Sequence, residues 1–206
     1  MKHWFGILLF SQIACIQAQT NTDFEFGKNQ FYAFQTLQVL ACQIDGDAAS
    51  GYNKIGYNVA FHTGIGLSPT RAVEFSIGFT ERGSRRPFNE EQPSLTPFHI
   101  RYNALELGFY YVAIWKGKQI YGGIKPAYKL NVRETESGLL SINEEYAKIA
   151  VLGELGFRMK VAQNWSINVA MNYNIFTLLT EGGSNNPLYP TGVYHNTIGF
   201  GVAYNP

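Results

Sequence analysis

Few side chains in this 206-residue chain are spaced for chemistry. Its four histidines (positions 3, 62, 99 and 195) and two cysteines (15 and 42) stand singly. A zinc or dithiol centre needs paired ligands in spacings such as CxxC or HExxH, and a serine hydrolase or nucleotide binder needs its own glycine-bracketed turn. None of these spacings occurs, so we expect no catalytic residue, no cofactor and no metal. One arrangement keeps an enzymatic alternative open. His195 follows a long polar segment holding Ser184 and Glu181, and a rim histidine beside a hydroxyl or carboxylate can act on lipids by general base catalysis. Otherwise His99 and His195 read as solvated loop-side residues, and His62 as an interior hydrogen-bonding residue.

Charge narrows the partners. Sixteen Lys and Arg against fifteen Asp and Glu leave a net +1 with no basic cluster, so no nucleic-acid partner is expected. The local basic group Arg82, Arg85 and Arg86 lies beside Glu90 and Glu91. It reads as a possible external-loop contact for lipopolysaccharide phosphates, or as a self-paired solvated loop.

These residues have meaning only on the elements that carry them. In Lys54 to Leu67, KIGYNVAFHTGIGL, bulky residues alternate with Gly, Asn, Ala and His, which is the period of a strand. The pattern recurs over Phe34–Ile44, Ile55–Leu67, Ala72–Thr80, Tyr102–Val112, Ile120–Arg133, Tyr146–Lys160, Trp165–Phe176 and Asn196–Tyr204. Short connections alternate with long ones rich in Pro, Gly, Asn and charge, such as RRPFNEEQPSLTP and TEGGSNNPLYPTG. An up-and-down barrel then has short turns at one end and long loops at the other, the asymmetry of outer-membrane barrels.

The two faces decide the solvent. An eight-stranded barrel has room only for its own interior side chains, and the Gly, Ala, Ser and Asn face fits that space while the Ile, Phe, Val, Leu and Tyr face would overfill it. The expected fold is therefore all-β: an eight-stranded antiparallel up-and-down transmembrane β-barrel with a filled interior. Trp165, Tyr111 and Tyr204 would form one outward girdle at the short turns, and Tyr57, Tyr128 and Tyr173 another at the long loops. Charge facing mid-depth lipid costs about 2–4 kcal/mol, and Glu74, Glu106, Lys125, Lys129, Glu154 and Arg158 all take the inward parity. Arg133 and Lys148 share that parity near the long-loop rim. Hairpin pairing brings Glu106 and Glu154 toward Lys125, which predicts an interior ion-pair cluster of these three, since buried charges need partners. Pro126 interrupts the fifth strand, and a bulge there would relieve the lost donor.

The first residues read as a secretory signal, with Lys2 and His3 before the apolar FGILLF and a small-residue cleavage site near Ala18. Residues 1–18 are thus expected to be a signal peptide and 19–206 the barrel domain. Ile13-Ala14-Cys15 also resembles the end of a lipoprotein signal, so Cys15 is an alternative lipidation point. Signal removal leaves only Cys42 and no internal disulfide.

The segments LQVLACQIDGDAASGYNKIGYNVAF, VEFSIGFTERGSR, YNALELGFYY, YGGIKPAYKL and the closing NTIGFGVAYNP resemble the PorT-like outer-membrane β-barrel proteins of Bacteroidetes across nearly all of the mature chain. The resemblance implies an eight-stranded barrel in the outer membrane of a Gram-negative bacterium. It also implies an association with machinery that exports proteins across that membrane and with gliding. The closing strand is similar to the signal read by the barrel-assembly machinery, although Asn205 and Pro206 follow its final aromatic. The function expected is a non-enzymatic structural or interaction role, with outer-membrane lipids and an envelope protein as partners. A lipid-modifying barrel enzyme and a small pore or transport component are the alternatives.

Overall fold

A computed structural model describes residues 24–45, 51–86, 88, 90, 97–136, 139–141, 148–175 and 194–206. The expected signal peptide, Cys15, Glu91, Glu181 and Ser184 lie outside these residues. Among the described residues nine strands follow one another: β1 (Phe31–Asp45), β2 (Lys54–Ser68), β3 (Arg71–Arg86), β4 (Phe98–Trp115), β5 (Lys118–Glu136), β6 (Leu139–Ser141), β7 (Ile149–Lys160), β8 (Trp165–Asn174) and β9 (Tyr194–Tyr204). Eight of them make an antiparallel ring in the order β1-β2-β3-β4-β5-β7-β8-β9, closed by β9 on β1. The three-residue β6 pairs only with the far end of β5, outside the ring. The fold is the eight-stranded antiparallel barrel expected from the alternation.

Hydrophobicity is reversed relative to a protein dissolved in water. Phe31, Ile55, Leu155 and Phe200 are 60–79% exposed, and Val59, Phe61, Ile77, Leu107, Phe109, Ile124 and Met171 also look outward. A continuous apolar belt of this size is untenable in water and required in lipid. Glu74, Glu106, Lys125, Lys129, Glu154 and Arg158 are buried inside the ring. Trp165 and Tyr204 pack at 4.8 Å at the short-turn end, where Tyr111 is outward on another wall, and Tyr57, Tyr128 and Tyr173 are outward toward the other end. No helix among the described residues is long and apolar enough to cross a membrane, so crossing falls to the strands.

The short turns are tight. Ser68 faces Arg71 across Pro69-Thr70, and Trp115 faces Lys118 across Lys116-Gly117. Lys116 and Gly117 have φ of 51° and 71°, the two left-handed residues of the hairpin turn whose twist matches its strands. The preceding segment closes the same end. Phe24 N–H donates to the Gly117 carbonyl at 3.2 Å, Phe26 N–H to Pro69 at 3.1 Å and Asn29 N–H to Gly66 at 2.7 Å. The Phe26 ring packs with Ala72, Tyr110, Val112 and Tyr121 and stacks on Tyr32 at 5.2 Å. Behind this strap lies a cavity of about 190 Å³ reaching Arg158 and Gln119.

Three expectations are corrected by the register. Pro126 pairs with Val151 in an unbroken β5–β7 ladder, so it makes no bulge there. On its β4 side the ladder lapses, with no partner for Leu107 or Gly108, and the missing donor falls in that gap. The register shift lies beyond it, where Asn103 faces Asn131 but Ala104 faces Lys129, leaving Leu130 as the extra residue. One extra residue turns the rest of the strand over. Val132 therefore points inward onto Tyr102 and Ile100, while Arg133 is exposed rather than interior. Lys148 is also exposed, at a bend before β7. Third, β3 and β4 continue well past the expected ends, to Arg86 and from Phe98, paired throughout. At 16, 18 and 19 residues, β3, β4 and β5 exceed the roughly 9–11 that span a bilayer. They project as a sheet beyond the long-loop girdle.

Candidate functional site: the barrel interior and its long-loop rim

Alternation sends every second side chain of each strand into a space a few side chains wide, so polar residues there must satisfy one another. They do so in tiers along the barrel axis. Nearest the short turns, Arg158 makes a two-pronged bond to Glu74: Nη1 donates to Oε1 at 2.9 Å and Nη2 to Oε2 at 2.5 Å. Arg158 Nη1 also donates to Gln119 Oε1 at 2.8 Å, and the Tyr32 hydroxyl to Glu74 Oε1 at 2.8 Å. Phe34 and Tyr121 sandwich the guanidinium at 4.5 and 4.4 Å, a geometry that Arg adopts and Lys does not. Tyr121 donates to Asn168 Oδ1 at 2.8 Å. His62 lies 3.1 Å from Thr36 Oγ1 through Nε2 and stacks on Phe34 at 4.5 Å.

At mid-height the structure brings Glu106, Lys125 and Glu154 together. Lys125 Nζ is 3.1 Å from Glu106 Oε2 and bonds Glu154 Oε2 directly. Asn58 donates to Glu106 at 3.2 Å. A fourth member is Arg82, whose Nη2 is 2.7 Å from Glu106 Oε1. This corrects the placement of Arg82 in an external loop: it is 1% exposed on the interior face of β3. The cavity beside this cluster holds about 10 Å³, no more than one water needs. Ion pairs and amides therefore fill the bore.

Toward the long loops the pairing thins. The buried Lys129 ammonium has no hydrogen-bonding partner among the described residues and lies 5.7 Å from the Tyr102 ring. His195 is fully buried, edge-on to Tyr102 at 5.4 Å, which corrects its reading as solvated. Its ring meets the Gly83 backbone. Among the described residues Asn174 has neither end of its amide bonded. The proposed company of His195, Ser184 and Glu181, lies outside the described residues. Several cations stand among the described residues of the rim. Glu81 binds Lys54 at 3.0 Å and Arg101 at 2.5 Å. Arg85 is exposed, and Arg86 lies over the Phe98 ring at 4.8 Å. Both sit on the paired end of β3, not in a loop. Among the described residues no group of His, Cys, Asp and Glu could hold a metal ion, and Cys42 is free and buried.

Parity places Glu74 and Arg158 inside but does not pair them with each other, and Arg82 is the interior charge that it misses. A cue for Arg82 lies in TERGSRR (residues 80–86): it keeps the even-numbered inward parity of Ala72, Glu74, Ser76, Gly78 and Thr80.

No family model matches the chain, and no curated protein matches it. Solved structures do. The attachment invasion locus protein Ail of Yersinia pestis superposes with a TM-score of 0.54 at 14% identity, over 87% of this chain and 100% of that one. Neisserial surface protein A superposes with 0.56 at 12% identity, over 84% and 97%. At that identity the likeness establishes the barrel fold.

Proposed function

We propose that this protein is an integral outer-membrane barrel of a Gram-negative bacterium, closed to solutes, whose task is carried by its long-loop end as a non-enzymatic structural or interaction role. The observation that carries this is the bore filled by the Arg82–Glu106–Lys125–Glu154 chain, with about 10 Å³ left beside it. A closed bore leaves the projecting ends of β3, β4 and β5 as the surface where another molecule can be met. The burial of His195 speaks against a surface lipid-acting centre built on it. In keeping with the resemblance to PorT-like proteins, the partner we favour is an envelope protein of an export complex, with lipopolysaccharide around the wall and the barrel-assembly machinery acting during insertion.

Deleting the gene and comparing exported proteins tests this reading. Loss of a set of exported proteins, restored by the wild-type gene, is the expected result, and unchanged export would sink the secretion role. Purified protein in a planar bilayer should give no stable conductance. Steady open channels would overturn the closed-bore reading.

A further inference from the structure

The outward face of the projecting sheet carries an arrangement that the interior does not explain. By register, Gly83, Arg101 and Arg133 lie side by side on β3, β4 and β5, and Arg85, His99 and Thr135 form the next row outward. Arg101 and Arg133 are direct cross-strand neighbours, and both are exposed. Like charges in that relation have Cβ atoms about 4.5–5.5 Å apart and repel. Among the described side chains Arg85, Arg101, Arg133 and Lys54 meet a single carboxylate, Glu81, which is shared by Lys54 and Arg101. Among the described residues Arg133 and the Arg85 side chain have no acidic partner. His99, beyond the girdle, is held below the ordinary histidine pKa by partial burial and then by Lys54, Arg85 and Arg101.

Depth identifies what meets this charge. Tyr57 faces Glu81, Glu81 faces Asn103, and Arg101 is one outward step past Asn103. Leu105 faces Tyr128 on the other side. Arg101 therefore lies about 7 Å along its strand past the Tyr57 row, two residues of rise. That is the level of lipid headgroups, since girdle tyrosines mark the interface itself. Arg101 and Arg133 are neighbours by register and can both offer guanidinium donors in the geometry that phosphate oxygens accept, Arg101 with those that Glu81 does not engage.

We propose that Arg101 and Arg133, with Arg85 and His99 above them, form a binding site for the phosphate groups of a phosphorylated glycolipid in the outer leaflet. The lipid lies against β3–β5 with its acyl chains on Phe79, Leu105 and Tyr128 and its phosphate between the two arginines. The repulsion across the β4–β5 ladder is relieved when the site is filled. Because this rests on the outer-membrane reading, its test separates the two.

The full-length protein in detergent is titrated with a bis-phosphorylated glucosamine lipid and with the same lipid after enzymatic dephosphorylation. Wild type should bind the phosphorylated form about tenfold tighter, and R101Q/R133Q should lose that preference. The His99 titration followed by NMR should move upward when the phosphorylated lipid binds, because the added anion favours the imidazolium. R71Q removes an exposed arginine at the short-turn end and should leave the preference intact. Equal affinity for both lipids, or an equal loss in R71Q, would overturn the site while leaving the membrane reading standing. Competition by millimolar inorganic phosphate alone would assign the site to free phosphate and overturn the lipid source. Protein that stays dispersed without detergent would overturn both. Heat-modifiable migration on gels confirms that each variant is a closed barrel.

Discussion

The two halves of the barrel interior obey different rules. On the short-turn side Arg158 is held by both oxygens of Glu74, by Gln119 and by two aromatic faces, and Tyr32, Tyr121 and His62 each have a hydrogen-bonding partner. On the long-loop side Lys129 and Asn174 are equally buried, and among the described residues their side chains make no hydrogen bond. Burial alone therefore says little about what a polar residue contributes. A charge that is paired from several directions locks strands together, while a charge that is only buried is a cost the rest of the fold carries. The short-turn half is a weld, and the long-loop half is the part with freedom to rearrange.

The comparison is broken most directly at Glu74. Glu74→Gln leaves a buried guanidinium without its counter-charge, and unfolding by urea from detergent or lipid should register a loss of about 3–5 kcal/mol. A loss under about 1 kcal/mol would mean that the weld is not where the stability lies. Next comes Lys125→Met, which strips Glu154 of its cation while Glu106 keeps Arg82. About 2–3 kcal/mol is expected in the same assay, since one carboxylate is orphaned and the other is not. Tyr121→Phe removes one neutral hydrogen bond, to Asn168, and should cost about 1 kcal/mol. The smallest effect belongs to the other half. Lys129→Met removes a buried charge that has no partner among the described residues and should leave stability unchanged or raise it by about 1 kcal/mol. If Lys129→Met proves as damaging as Glu74→Gln, the two halves are not distinct and the ammonium has an unseen acceptor.

The legibility of the chain follows the same division of solvents. Where lipid lies outside, alternation between bulky and small residues is strong. The strands from Val73 to Phe79 and from Leu105 to Tyr111 were readable with their faces for that reason. Past the girdle the outer face meets water, so the apolar signal ends although pairing does not. Arg82 to Arg86 thus has the composition of a loop while being strand, and Arg82 lies inside the barrel rather than in a loop. Parity counting also fails silently at a bulge. Leu130 shifts the register, and nothing in Lys129-Leu130-Asn131 announces it, so Arg133 was counted onto the wrong face. Glu106, Lys125 and Glu154 lie on uninterrupted stretches of their strands, and there parity and register can be followed from one wall to the next. The Glu74–Arg158 couple joins strands that are not neighbours in the ring, and no local pattern reports a contact across a bore.

The Phe24–Gln30 strap bears on how the molecule hangs in its surroundings. Phe24 is tied to the β4–β5 turn, and at the other end of the chain Asn205 N–H donates to the Asn164 carbonyl of the β7–β8 turn at 2.9 Å. Both tethers leave from one mouth, so a load attached to either end pulls on the same rim, the one stiffened by the Arg158 weld. The opposite rim, where β3, β4 and β5 project, carries neither tether.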